Sequence, residues 1–119
     1  MTVGFTAQLV SAKERKCELH HSTHSPRPHV LHWHHIHPLG EGGPDVKENK
    51  RTACPTGHYN VHDLLDEMLK ANTTALSYLV LQYYTKDERA WAVEGFTKIM
   101  EWRTAHPDWK SRLADLSGE

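Results

Sequence analysis

Apolar and polar residues are spaced differently in the two halves of the chain, and the change predicts two kinds of element. Residues 30–37, VLHWHHIH, are rich in β-branched and aromatic types and read as a strand. They run into PLGEGGPD, where three glycines and two prolines mark a turn or wide loop. A second extended piece, Asn49 to Cys54, can pair back on the first as a hairpin. Then CPTGHYNVHDLLDEMLKAN begins a helix. Val61, Leu64, Leu65, Met68 and Leu69 recur at i, i+3, i+4, i+7 and i+8 on one apolar face, and Asn72 offers the stop.

The second half reads as helix. ALSYLVLQYY, after Thr73-Thr74, is apolar throughout and compatible with helix or strand; its place between two helices favours helix. Thr85 with Glu88 forms a capping box for a helix over about 86–105, with Ala92, Phe96, Ile99 and Met100 on one side. Pro107 fits the first turn of a last short helix bearing Trp109, Leu113 and Leu116. These aromatic and methionine positions read as core. The expected class is α+β, and no internal repeat or low-complexity segment is visible.

Composition adds one oddity. The chain has 119 residues, suited to a single domain, and 11 of them are histidine. Ten fall between residues 20 and 62, interspersed and never more than two in a row, which is unlike an affinity tag. Hydrophobic residues make up 38%, so the core is modest and a bound metal becomes a useful staple. The longest aliphatic stretch, Leu79 to Leu81, is far short of the roughly 20 apolar residues that span a bilayer. The start, MTVGFTAQLVSAKERK, has no basic leader and no sustained apolar run, so a cytoplasmic protein with no membrane partner is expected. Cys17 and Cys54 are then expected to be reduced. Residues 1–62 carry 7 Lys/Arg against 5 Asp/Glu and residues 63–119 carry 7 against 10, so a polyanion is better met by the first half.

The histidines supply candidate chemistry. His58 and His62 lie four apart on the predicted helix, where both imidazoles project from one face and can grip one cation. His34-His35 offers a third ligand. Adjacent side chains on a strand point to opposite faces, so one of the pair can bind metal while the other takes a proton near neutral pH. His32 or His37 could fill either job, since each shares a face with one of the pair, and spacing alone does not choose.

HHIHPLGEGG followed by ENKRTACPTGHYNVH resembles the HNH endonucleases, whose pattern is a His-His-Ile-x-Pro strand, a glycine-rich loop, an asparagine, and Cys-x-x-Cys-His-x-x-x-His running into a helix. The likeness covers about residues 17–62. It implies a ββα-metal finger over 17–71, followed by a helical extension over 72–119 within one 1–119 nuclease domain. It also implies metal ligands His34, His58 and His62, a general base at His35, and Asn49 tying the strands together and helping to orient that base. The implied cofactor is one divalent cation, Mg, Mn, Ni or Zn. The implied activity is nicking or double-strand cleavage of DNA, with Lys47, Lys50 and Arg51 as candidate phosphate contacts. Small free-standing proteins of this kind occur in phages and bacteria, some beside the DNA-packaging terminase, which makes packaging proteins candidate partners.

The resemblance is imperfect at the Cys-x-x-Cys knuckles that hold a second, structural zinc in many members. Here they read Cys17-Glu18-Leu19-His20 and Cys54-Pro55-Thr56-Gly57, leaving Cys17, His20 and Cys54 as ligands, with His21 or His24 to complete a tetrahedron. A knuckle without metal, or a Cys17–Cys54 disulfide, are the rivals. Two other functions stand beside the nuclease. One is a non-catalytic, zinc-stabilised DNA-binding or terminase-accessory protein that keeps the finger as scaffold; the other is metal buffering by the histidine cluster.

Overall fold

The computed structural model describes residues 8–10, 17–19 and 31–116. Three strands form one antiparallel sheet in the order β1 (Gln8–Val10), β2 (Leu31–His35), β3 (Lys50–Ala53). Four α-helices follow among the described residues: α1 (Pro55–Ala71), α2 (Tyr78–Leu81), α3 (Lys86–Ala105) and α4 (Trp109–Leu116). The α+β class is therefore observed, and the β2–β3 hairpin pairs His32 with Ala53 and His34 with Arg51. The expected two-stranded sheet gains a third member, because β1 pairs Gln8 with Trp33 on the other edge of β2. A three-residue strand is too short to show a period, so its pattern was silent.

Helix α1 ends where its sequence says it should. Asn72 adopts the left-handed conformation at φ 56°, and its N–H bonds back to the last turn. At the other end Cys54 is the cap, its Sγ accepting from the Gly57 N–H at 3.2 Å, with Pro55 beginning the helix. Helix α3 opens on the predicted capping box: Thr85 Oγ1 accepts from Glu88 N–H, and Glu88 Oε1 accepts from Thr85 N–H. Glu88 is buried, and its other oxygen accepts from Asn60 Nδ2 at 3.1 Å. The cap therefore also latches α3 onto α1.

The apolar core gathers Val61, Leu64, Leu65 and Met68 of α1 with Trp91, Ala92 and Ile99 of α3, closed by Ala53 and Leu19. Each large side chain sealed there contributes about 1.5–3 kcal/mol, so the seam between α1 and α3 outweighs the short sheet. The 72–119 extension is thus packed on the 17–71 segment through α3. Phe96 and Met100 lie on the same side of α3, partly buried against this core.

Two expectations are corrected. ALSYLVLQYY makes only the single turn of α2, capped by the Ser77 side chain. Leu76, Leu81 and Tyr84 reach the core while Tyr78, Leu79 and Tyr83 stay exposed, so the run crosses the surface and lacks a second buried face. Pro107 sits in the turn before α4, where Trp109 N–H bonds to the His106 carbonyl, and the helix starts two residues later than expected. No helix among the described residues is long and apolar enough to cross a membrane.

Close packing brings α3 onto the end of β2. A Cβ at Gly95 would stand 2.8 Å from the Ile36 carbonyl oxygen and 3.3 Å from Leu65 Cδ2. In an exposed helix Gly→Ala stabilises by about 1 kcal/mol. Here overpacking against backbone, typically about 1–3 kcal/mol, reverses the sign. Gly95→Ala is expected to lower the thermal midpoint; an unchanged or raised midpoint would contradict this packing.

Candidate metal and catalytic site

The site is built where β2 crosses the first two turns of α1. His34 sits in the middle of the ladder, and alternation aims its ring at α1. His58 and His62, one turn apart, present theirs to it. Ring centroids are 5.2 Å apart for His34 and His58, 5.3 Å for His34 and His62, and 4.8 Å for His58 and His62. A ligand atom from each lies within 4.8 Å of the others, close enough to hold one metal ion. Among the described residues, no other group of His, Cys, Asp or Glu meets this geometry.

His34 makes the case for a cation sharpest. It is 1% exposed, and neither ring nitrogen has a hydrogen-bond partner. A sealed polar group without a partner costs roughly 1–3 kcal/mol, and metal coordination would satisfy the nitrogen that carries the lone pair. All three imidazoles are also held in the neutral, ligating form. Burial, then mutual repulsion, pushes His58 down to about 3; burial, then His35, pushes His62 down to about 4. Burial lowers His34 well below its ordinary value in the same way, with His62 and His58 adding to it.

Helix α3 supplies the back wall. Trp91 stacks on the His34 ring at 5.3 Å and 23°. Arg51 lies over the Trp91 ring at 5.3 Å and gives both terminal nitrogens to Glu94 at 2.7 and 3.0 Å. The fork expected to face phosphate is thus engaged by a carboxylate.

His35 reaches the glycine-rich loop and still lies close enough to His58 and His62 to repel their charged forms. Its Nε2 lies 3.0 Å from Asp45 Oδ1, and Lys50 Nζ reaches the same oxygen at 3.0 Å. A carboxylate only accepts, so Nε2 carries the proton and the lone pair of neutral His35 is on Nδ1. The hydrogen bond from His35, then that from Lys50, holds the Asp45 carboxyl below its usual range. Lys50 also lies 5.9 Å from the Trp33 ring, and Lys47 is exposed.

Asn49 is buried and ties the end of β2 to the loop. Its Oδ1 accepts from His37 N–H at 2.9 Å, while Nδ2 donates to the His37 and Pro44 carbonyls at 2.8 Å each. Its backbone carbonyl takes the Ile36 N–H. Its bonds do not go to the His35 ring; they fix the backbone that follows it, at Ile36, His37 and Pro44. The loop folds back so closely that a Cβ on Gly43 would collide with the His37 carbonyl oxygen. His37 itself bonds through Nε2 to the Glu41 carbonyl and packs edge-on against Trp102, which makes it a loop anchor outside the cluster.

Cys17 and Cys54 lie together as thiols, with Cys54 N–H bonding Cys17 Sγ at 3.1 Å. Burial pushes the Cys54 thiol up to about 11, so it stays protonated without a cation. His20, His21 and His24 lie outside the described residues. Residue spacing did not reveal Asp45, Trp91 or Glu94. Asp45 closes a turn-forming run and reads as turn chemistry, and Trp91 and Glu94 reach the site only through the α1–α3 packing. Comparison with protein-family models, curated proteins and solved structures returns no match.

The depressed histidines make acid destabilising. An unfolded histidine titrates near 6.5, so below that pH the unfolded chain binds protons that His34, His58 and His62 refuse. Stability is complete above about pH 7 and is lost as pH falls toward the folded values. Thermal midpoints of the metal-free protein are expected to drop between pH 6.5 and 5, before carboxylates titrate. His58→Gln should flatten that slope, and a flat wild-type profile would contradict the burial of neutral imidazoles.

Proposed function

We propose that the chain is a metal-dependent endonuclease of the HNH kind, hydrolysing DNA phosphodiester bonds, with β2, β3 and α1 serving as its ββα-metal finger. One juxtaposition supports this reading above all. Three neutral imidazoles converge on a cation site, while the next residue along the strand, His35, is held by a carboxylate with its lone pair on the opposite nitrogen. Metal buffering needs no such base.

The catalytic roles follow from that arrangement. His35 takes the proton of the attacking water at Nδ1. As the ring becomes an imidazolium, the Asp45 carboxylate stabilises the new charge through the Nε2–H it already accepts. Asn49 keeps the backbone around His35 from shifting as the ring is charged. When bound, a divalent cation held by His34, His58 and His62 supplies Lewis-acid stabilisation of the charge that builds on the phosphate and leaving oxygen. Three nitrogen donors and no carboxylate favour Zn or Ni over Mg or Mn, which prefer oxygen.

Lys47 is the cation best placed to meet the DNA backbone, with Lys50 held by Asp45 and Arg51 by Glu94. So few contacts give weak sequence preference and strong salt sensitivity. The same reading makes the cytoplasm of a bacterial or phage-infected cell its setting and a packaging terminase a candidate partner. The exposed Tyr78, Leu79 and Tyr83 favour a second reading, an accessory protein that uses the finger as scaffold and docks a partner.

Plasmid nicking separates the two. Supercoiled DNA with magnesium, manganese, nickel or zinc is expected to be nicked or linearised, and a chelator should stop it. His35→Ala is expected to lose about 10²–10⁴-fold in rate while keeping its metal, and His62→Ala to weaken both. Cutting by His35→Ala at the wild-type rate would refute the base; silence with all four metals would refute the nuclease.

A further inference from the structure

His32 also lies at the cluster, although it is not one of the three converging residues. It shares with His34 the face of β2 that meets α1, and its Nδ1 lies 3.0 Å from His58 Nδ1. The two rings meet edge-on, with centroids 5.2 Å apart. The opposite nitrogen of His58, Nε2, lies 3.1 Å from His62 Nε2. His58 therefore turns Nδ1 to His32 and Nε2 to its companion ligand.

A neutral imidazole carries one N–H, and a 3.0 Å contact between two ring nitrogens needs one proton between them. That proton can belong to either ring, with opposite consequences. If His32 donates, the proton of His58 must sit on Nε2, and it points at the place where a cation would bind. If His58 donates from Nδ1, its Nε2 lone pair faces that place. Only the second arrangement lets His58 act as a ligand.

We infer that His32 is a positioning residue for the cation site, accepting the Nδ1–H of His58 and thereby fixing the tautomer that leaves Nε2 open to metal. This rests on the reading that His34, His58 and His62 hold a cation, and not on DNA cleavage. Partners of this outer kind usually have a carboxylate or carbonyl as acceptor. A neutral imidazole in that place brings no negative charge of its own to His58, unlike a carboxylate. It also gives one of the histidines left over from the family pattern a definite task.

Zinc affinity of the full chain, measured by competition with a chromophoric chelator, tests the assignment without any cleavage assay. His32→Ala is expected to bind zinc roughly 10- to 100-fold more weakly than wild type. His32→Gln, whose amide oxygen still accepts, should recover most of that loss, and it keeps the test alive should the alanine variant fold poorly. In zinc-loaded protein labelled with ¹⁵N at histidine, the ring spectrum should show His58 with a slowly exchanging proton on Nδ1 and metal on Nε2. The slow exchange should disappear in His32→Ala. Wild-type affinity in His32→Ala, metal on His58 Nδ1, or a metal-shifted His32 ring would each overturn the inference and leave the three-histidine site standing. Failure of the wild-type protein to bind zinc would overturn both.

Discussion

The buried imidazole of His34 is the constraint around which the rest of this structure is arranged. A ring sealed from water with neither nitrogen hydrogen-bonded is unfavourable on its own, yet the fold surrounds it on every side. The β2–β3 ladder fixes its backbone, α1 brings two more imidazoles to its edge, and Trp91 closes its face. A cation held there would offset that cost, because a ligand that binds only the folded chain stabilises it by mass action.

The surrounding residues hold this arrangement rigid. Asn49 uses both ends of its amide to keep the strand exit and the loop in register, while strand alternation gives His34 and His35, neighbours in sequence, different surroundings. Arg103 of α3 reaches Glu41 in the same loop at 2.8 Å, and Glu88 latches α3 to α1. The helical extension is thereby part of the site's frame. Without α3 there would be no stack on His34, and a third of the buried apolar core would be missing.

Much of this was legible in the residues. The i, i+4 histidines, the apolar face behind them, the Asn72 stop and the Thr85–Glu88 box each rest on local periodicity, which survives in the folded chain because nothing long-range opposes it. The likeness to HNH endonucleases pointed to His34, His58 and His62, and these three do converge. Spacing had left His32 and His37 as rivals, and tertiary geometry separates them, placing one against His58 and the other in the loop. Illegible were the features made by contact between distant segments: the β1 pairing, the Trp91 stack, and the Glu94 carboxylate that occupies Arg51. Asp45 was hidden for another reason, since an aspartate after Gly-Gly-Pro looks like turn chemistry until the loop folds it under His35.

We propose that one divalent cation sits between β2 and α1 on His34, His58 and His62. Anomalous diffraction from zinc-loaded crystals of the full chain, collected on either side of the metal edge, tests it most directly. A peak about 2.0–2.1 Å from a ring nitrogen of His34 and from Nε2 of His58 and His62 is the predicted result. A map with no peak there, and His34 still sealed without a partner, would contradict it.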